Sequence, residues 1–248
     1  MKKWYILIVS LLLTACSSLG QVPVSDLEPA TPDTIARAAP GHAKGWWSVR
    51  FAIDWPEEAE VSWYMDVYLA HKIVKPVLDR YGKDIDLWRF HRRAARDPGG
   101  HQFSFIFFSP PAVAEAIYNA VRDDKQLRVV EAMGLINKVK YQDTGSNQQP
   151  MIQDTSDKSW SLPVQKSWPY FIMGVSDMWL RLIDELVQQD SGEVSFSDYN
   201  DVLSFYADIE KKVNEVWRTE GNHAFLHHLN ALFGYQETIV IERKLMRF

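Results

Sequence analysis

From residue 46 the chain alternates. Trp47, Val49, Phe51 and Ile53 are apolar, with Ser48, Arg50, Ala52 and Asp54 between them. A period of two marks a half-buried strand, and Trp55-Pro56-Glu57-Glu58 ends it. The same alternation predicts a second strand over 61–69, with Val61, Trp63, Met65, Val67 and Leu69 on one face and Ser62, Tyr64, Asp66 and Tyr68 on the other. Ile73, Val74, Val77, Leu78 and Tyr81 then follow a helical period. Pro76 lies inside it, so this helix is kinked or starts late, and Gly82 stands where a C-cap is expected. Strands are predicted over 85–93 and 101–108, joined by the turn formers of 94–100 as a hairpin. Ser109 then caps a helix with Pro110 at its first position, and Ala112, Val113, Ala116, Ile117, Ala120 and Val121 form its buried face. Another helix follows over 127–136 and a short strand over 138–141.

Strand, helix, strand, strand, helix, strand is the ferredoxin-like order, here preceded by the Trp47 strand. Residues 142–162 are polar and aperiodic and read as a loop. The remainder is helical. Over 168–189, Phe171, Ile172, Val175, Trp179, Leu182, Ile183 and Leu186 share one side. Ser197-Asp198 opens a helix to about Thr219, with Val202, Phe205, Tyr206, Ile209, Val213, Val216 and Trp217 facing inward. Gly221-Asn222 breaks it, and a third helix covers 223–233 up to Gly234. Residues 238–241 are β-rich and are expected to return to the sheet. The expected fold class is α+β: a ferredoxin-like antiparallel sheet with helices on one face, followed by a helical C-terminal part. No internal repeat is visible.

The start of the chain has a different pattern. Lys2 and Lys3 precede an apolar run over 4–15, too short to cross a bilayer, which needs roughly 20 residues. It ends in Leu13-Thr14-Ala15-Cys16. These residues resemble a bacterial lipobox, which implies cleavage before Cys16 by the lipoprotein signal peptidase and lipidation of Cys16, including palmitate. Residues 1–15 are then a lipoprotein signal peptide. Residues 16–45, rich in Pro, Ala, Ser and Thr, are a lipidated tether, spanning roughly 30 Å as a flexible coil. Residues 46–145 form the expected sheet region and 146–248 a mainly helical region packing on it. Ser17 rather than Asp follows the cysteine. In a Gram-negative cell this implies an outer-membrane protein facing the periplasm.

Composition narrows the chemistry. Cys16 is the single cysteine, which excludes an intramolecular disulfide and a multi-cysteine zinc site. The chain has 27 Lys+Arg against 32 Asp+Glu; without Lys2 and Lys3 the balance is 25 against 32, a formal charge of −7. An acidic exported protein is a poor match for nucleic acid, and no nucleic-acid partner is expected. Neither a Gly-x-Ser-x-Gly elbow nor a phosphate-binding glycine loop occurs, and no cofactor is implied.

Two clusters remain. The predicted hairpin concentrates Arg89, His91, Arg92, Arg93, Arg96 and His101 among Phe103, Phe105 and Phe107. On a strand Arg89, His91 and Arg93 share a face, and with His101 they are the candidate ligand-binding residues. Against this stands the reading of phenylalanines as core and arginines as a solvated face. Residues 100–107 distantly resemble the aromatic strand of an RNA-recognition motif, but lack its second internal glycine and the basic residue before the first. The second cluster is His223, His227 and His228. His223 and His227 are one helical turn apart, a spacing that can hold a metal, yet Ala224 replaces the glutamate of a zincin motif and no third ligand is identifiable.

Residues of about 60–140, a third of the chain, resemble the C-terminal domain associated with lantibiotic and thiopeptide biosynthesis. The matching stretches are Val61-Ser62-Trp63-Tyr64 opening a strand, Leu87-Trp88-Arg89-Phe90-His91-Arg92, and Asp97-Pro98-Gly99-Gly100-His101. After that histidine the family has alternating arginines, where this chain reads Gln102-Phe103-Ser104-Phe105, so the ligand-facing surface differs. The resemblance implies the fold rather than the activity. The sequence thus points to a membrane-anchored lipoprotein whose soluble domain binds a protein or envelope component. The alternative is a ligand- or metal-binding envelope enzyme using the hairpin or the histidine helix. Native protein should lack residues 1–15, carry acyl mass and pellet with membranes, and Cys16→Ser should do none of these. Intact-mass spectrometry with fractionation reads both.

Overall fold

The computed structural model describes residues 43–53, 62–94, 97–191 and 198–237. The lipobox, most of the tether and the β-rich 238–241 segment lie outside them. Strand β1 (Gly45–Ile53) leads to helix α1 (Tyr64–Tyr68), a π-helical turn (Leu69–Val74) and α2 (Lys75–Tyr81). Strands β2 (Leu87–Arg92) and β3 (Gln102–Ser109) form a hairpin, followed by α3 (Pro111–Arg122), α4 (Lys125–Ala132) and β4 (Ile136–Tyr141). The sheet order is β2-β3-β1-β4 and every pairing is antiparallel. This is the ferredoxin-like arrangement within an α+β fold, and the Trp47 strand is its first strand rather than an addition in front of it. Long helices α5 (Leu162–Ser191) and α6 (Tyr199–Thr219) and short α7 (His228–Leu232) complete the helical C-terminal part.

The segment 61–69 does not form the expected strand; its described part enters α1. Alternation fails there because both supposed faces are buried: Met65, Val67 and Leu69, but also Asp66, Tyr68 and Ala70. The described Ser62-Trp63-Tyr64 part of the matching stretch therefore leads into a helix. Pro76 stands just after the π-helical turn, at the second position of α2, where its missing N–H and its ring are tolerated. Gly82 is the C-cap of α2, as expected, but with φ −58 it is right-handed and continues into a 3₁₀ turn. Ser109 ends β3 and Pro110 occupies the N-cap of α3 without a side-chain cap, one residue from the expected register.

Cross-strand register divides the sheet. Trp47 faces Phe107, which faces Trp88; Val49 and Phe90 flank Phe105; Phe51 faces Phe103. These residues join the main core with Met65, Tyr68, Ile73, Ile117, Ile183 and Ile209 from the helices. The opposite face has Trp46, Leu87 and Phe108 as a small apolar cluster at one end, and becomes polar towards the other. The Trp46 indole N–H donates to the Met151 and Ile152 carbonyls, at 3.1 and 3.0 Å, pinning the 142–161 loop over that end.

Helix α5 runs along the edge strand β2. The Phe90 N–H, which points away from the sheet, donates to Ser176 Oγ at 3.1 Å, so the helix satisfies an otherwise open edge. Pro169 lies within α5 and offers no N–H to the Gln165 carbonyl four residues earlier. Buried Ser156 donates its hydroxyl to that carbonyl at 2.7 Å instead, which lets the helix run through the proline.

A buried carboxylate joins these parts. Asp66 in α1 is fully buried. Its Oδ1 lies 3.0 Å from His101 Nε2, and its Oδ2 lies 3.0 Å from Arg92 Nε. The Arg92 guanidinium in turn sits over Trp179 of α5, 4.4 Å from the ring centre. Crossover helix, hairpin and α5 thereby share one charge network. Asp66→Ala leaves the Arg92 guanidinium and the His101 ring facing a void and should cost about 3–5 kcal/mol, the range for breaking a buried pair. Chemical denaturation measures it.

Candidate functional site

The alternation of β2 that places Trp88, Phe90 and Arg92 against the core places Arg89 and His91 on the opposite face. His91 faces Ser104, Ser104 faces Arg50, and Arg50 faces Lys140 across the sheet; Lys138 lies one row further. Arg50, His91, Lys138 and Lys140 are exposed. Arg93 continues from the end of β2, its guanidinium 3.3 Å from the Gly99 carbonyl and 3.8 Å from Asp97. The polar face is therefore basic on a protein whose formal charge is −5. Like charges directly opposite on neighbouring strands, as at Arg50 and Lys140, oppose folding. Burial, and then Arg89, Arg93 and Arg50, lower the His91 pKa below the ordinary histidine value.

The structure brings together Arg89, His91 and Arg93, and separates His101 from them. His101 is buried on the other side, its Nδ1 3.1 Å from the Arg93 carbonyl and its Nε2 on Asp66. A carbonyl only accepts, so Nδ1 donates. Both ring nitrogens are thus engaged in structure. Phe103, Phe105 and Phe107 are fully buried against the helices, so they do not form a stacking surface for bases, and the resemblance to an RNA-recognition strand ends there.

Sequence reasoning did not anticipate the partner of this face, which is α5. Trp168 stacks on the Arg89 guanidinium, 5.0 Å from ring centre, and with Phe90, Ile172, Val175 and Trp179 it lines a cleft of about 340 Å³ along the β2 edge. Phe171 and Val175, expected on the buried side of α5, are exposed; Ile183 is buried and Trp179, Leu182 and Leu186 pack on the core as expected, joined by Ser176, Leu180 and Val187. The apolar stripe is wider than the core needs, and that excess width was the available signal. Two larger depressions, of about 620 and 860 Å³, contain no buried charged side chain.

A second histidine network lies between the π-helical turn, α5 and α6. His71 Nε2 lies 3.1 Å from Asp184 Oδ1, and Nδ1 lies 2.6 Å from the Tyr206 hydroxyl. Tyr68 and Tyr199 join through a direct hydroxyl–hydroxyl contact. Burial pushes the Tyr206 phenol up, so its O–H donates to Nδ1 and the ring N–H donates to Asp184. Tyr206 is 1% exposed.

His223, His227 and His228 do converge, with ring centres 5.2–5.4 Å apart in each pair. The π-helical turn over Asn222–His227 brings the i+5 ring of His228 beside the i and i+4 rings. Even so, among the described residues no group of three His, Cys, Asp or Glu is arranged to hold a metal ion. Nor is any described helix long and apolar enough to cross a membrane.

No protein-family model and no curated protein matches this chain. Among solved structures it is similar to the crystal structure of TsrL, at 14% identity and a TM-score of 0.35 over 77% of this chain and 49% of that one. The chain spans about half the length of that protein, and a likeness of this degree carries no argument about activity.

Burial outweighs Asp184 and lowers the His71 pKa from the ordinary 6.5; His91 moves the same way. A depressed histidine binds its proton more weakly folded than unfolded. As pH falls through the unfolded value the unfolded chain gains protons first, so stability is present above about pH 6.5 and lost below it. Urea midpoints should fall from pH 7 to pH 5, and His71→Gln should flatten that slope. An unchanged slope in the variant refutes the assignment.

Proposed function

We propose that this chain is an exported, lipid-anchored protein whose folded domain binds an acidic partner in the cell envelope. The lipobox residues Leu13-Thr14-Ala15-Cys16 and the proline-rich tether support the anchor. The binding reading rests on one observation: the polar sheet face gathers Arg50, Arg89, His91, Lys138 and Lys140 on an acidic chain. Neighbouring cations at these positions weaken the sheet, and an acidic surface laid across them would remove the repulsion. The buried His101–Asp66 pair and the part-buried His71–Asp184 pair favour binding over catalysis, because both nitrogens of each ring already have structural partners.

The tether determines where such a partner is met. A span of roughly 30 Å keeps the domain close to the membrane that holds its lipid, so the partner belongs to the same envelope compartment. Contact through exposed charges is salt-sensitive, falling off as the Debye length shrinks from about 10 Å at 0.1 M to about 3 Å at 1 M.

The test is photo-crosslinking in intact cells, with the reactive residue at His91 or, as a control, at exposed Glu115 on α3. Adducts are expected at His91 and not at Glu115, and Arg50→Glu with Lys140→Glu should abolish them. If the two positions give the same adducts, or the reversals change nothing, the basic face is not the binding surface.

A further inference from the structure

Arg89 presents an unsolved electrostatic problem. It is 8% exposed, and among the described residues its Nε has no hydrogen-bond partner. Burial alone pulls its pKa down, to about 10, with no carboxylate offsetting it, so at neutral pH it remains a cation. The described contact of its guanidinium is the face of Trp168, which satisfies none of its N–H donors. Buried charges are normally paired. The contrast is Arg92, three residues on, which has Asp66.

The space beside Arg89 fits this deficit. The cleft along the β2 edge has about 340 Å³ and is walled by Phe90, Trp168, Ile172, Val175 and Trp179, a volume and lining within the range of small-molecule sites. Trp168 holds the guanidinium plane from one side, leaving the planar N–H edge for an acceptor. A carboxylate matches that edge with two parallel hydrogen bonds, whereas an ammonium or a neutral apolar molecule leaves the cation uncompensated. Val175, exposed in the middle of α5, would be covered by the apolar part of such a ligand.

We propose that the cleft between β2 and α5 binds a small carboxylate on a flat apolar body, with Arg89 receiving the carboxylate and Trp168, Trp179 and Phe90 receiving the body. This deepens the binding reading, since Arg89 belongs to the basic face. Its test is separate, because Arg50 and Lys140 do not line the cleft.

The experiment is isothermal titration of the purified full-length chain in detergent, against a protein-free micelle blank. The probes are naphthalene-2-carboxylate and its neutral carboxamide. The carboxylate should bind saturably and at least tenfold more tightly than the carboxamide. Arg89→Gln should weaken the carboxylate tenfold or more and leave the carboxamide unchanged. Because the substitution removes an unpaired buried cation, the ligand-free melting temperature should stay level or rise. Arg50→Glu and Lys140→Glu should leave carboxylate binding within twofold, so loss of the envelope crosslink and loss of this site are told apart.

Three results overturn the proposal. One is no saturable binding of the carboxylate up to about 1 mM, a free energy near −4 kcal/mol. Another is equal affinity for carboxylate and carboxamide. The third is an Arg89→Gln variant that melts several degrees lower, which makes Arg89 a structural residue with a partner of its own.

Discussion

A carboxylate with no access to water sets the terms of this fold. Asp66 lies at the start of the crossover helix and faces His101 at the entry to β3 and Arg92 at the end of β2. A buried charge is tolerable only when its partners stay in place, so the helix and the hairpin are held in one relative position. Arg92 extends the constraint to α5 through Trp179. The C-terminal helices are thereby tied to the sheet by a directional contact, in addition to the non-directional burial of Ile183, Phe205 and Ile209.

With β2 held, strand parity does the rest. Side chains at even positions of β2 enter the core and those at odd positions leave it, so the same six residues supply Trp88, Phe90 and Arg92 to one face and Leu87, Arg89 and His91 to the other. The core face is aromatic and closed. The other face is apolar at the Trp46–Phe108 end and basic beyond it. Arg92 and Arg89 thus have opposite fates: one meets a carboxylate, the other meets an indole face at the edge of a cleft. The proposed binding role grows out of that asymmetry, which is a property of the pairing and not of either arginine alone.

Much of this architecture was legible beforehand. The alternation around Trp47 is β1, the turn formers of 94–100 lie between β2 and β3, and Asp198 caps α6 by accepting from the N–H groups of Asn200 and Asp201. The 61–69 segment misled because residues buried on all sides have no polar face, so a helix and a strand leave the same apolar trace. On α5, Phe171 and Val175 read as core because periodicity reports which residues are apolar and is silent on how much of the stripe is covered. His101 read as a ligand-binding residue because it follows a basic run, yet its partner Asp66 is 35 residues earlier, beyond any local pattern.

The chain by itself determined the first strand, the long C-terminal helices and the presence of a basic, aromatic hairpin, because each depends on residues adjacent in sequence: a hydrophobic period, a run of turn formers, a cluster of arginines. The tertiary structure decided which arginine is neutralised, which histidines are structural and where the cleft lies. Those outcomes depend on contacts across 35 residues for Asp66 and His101 and between β2 and α5 for Arg89 and Trp168. Burial and charge compensation are properties of such long-range neighbours, and no local pattern in the sequence encodes them.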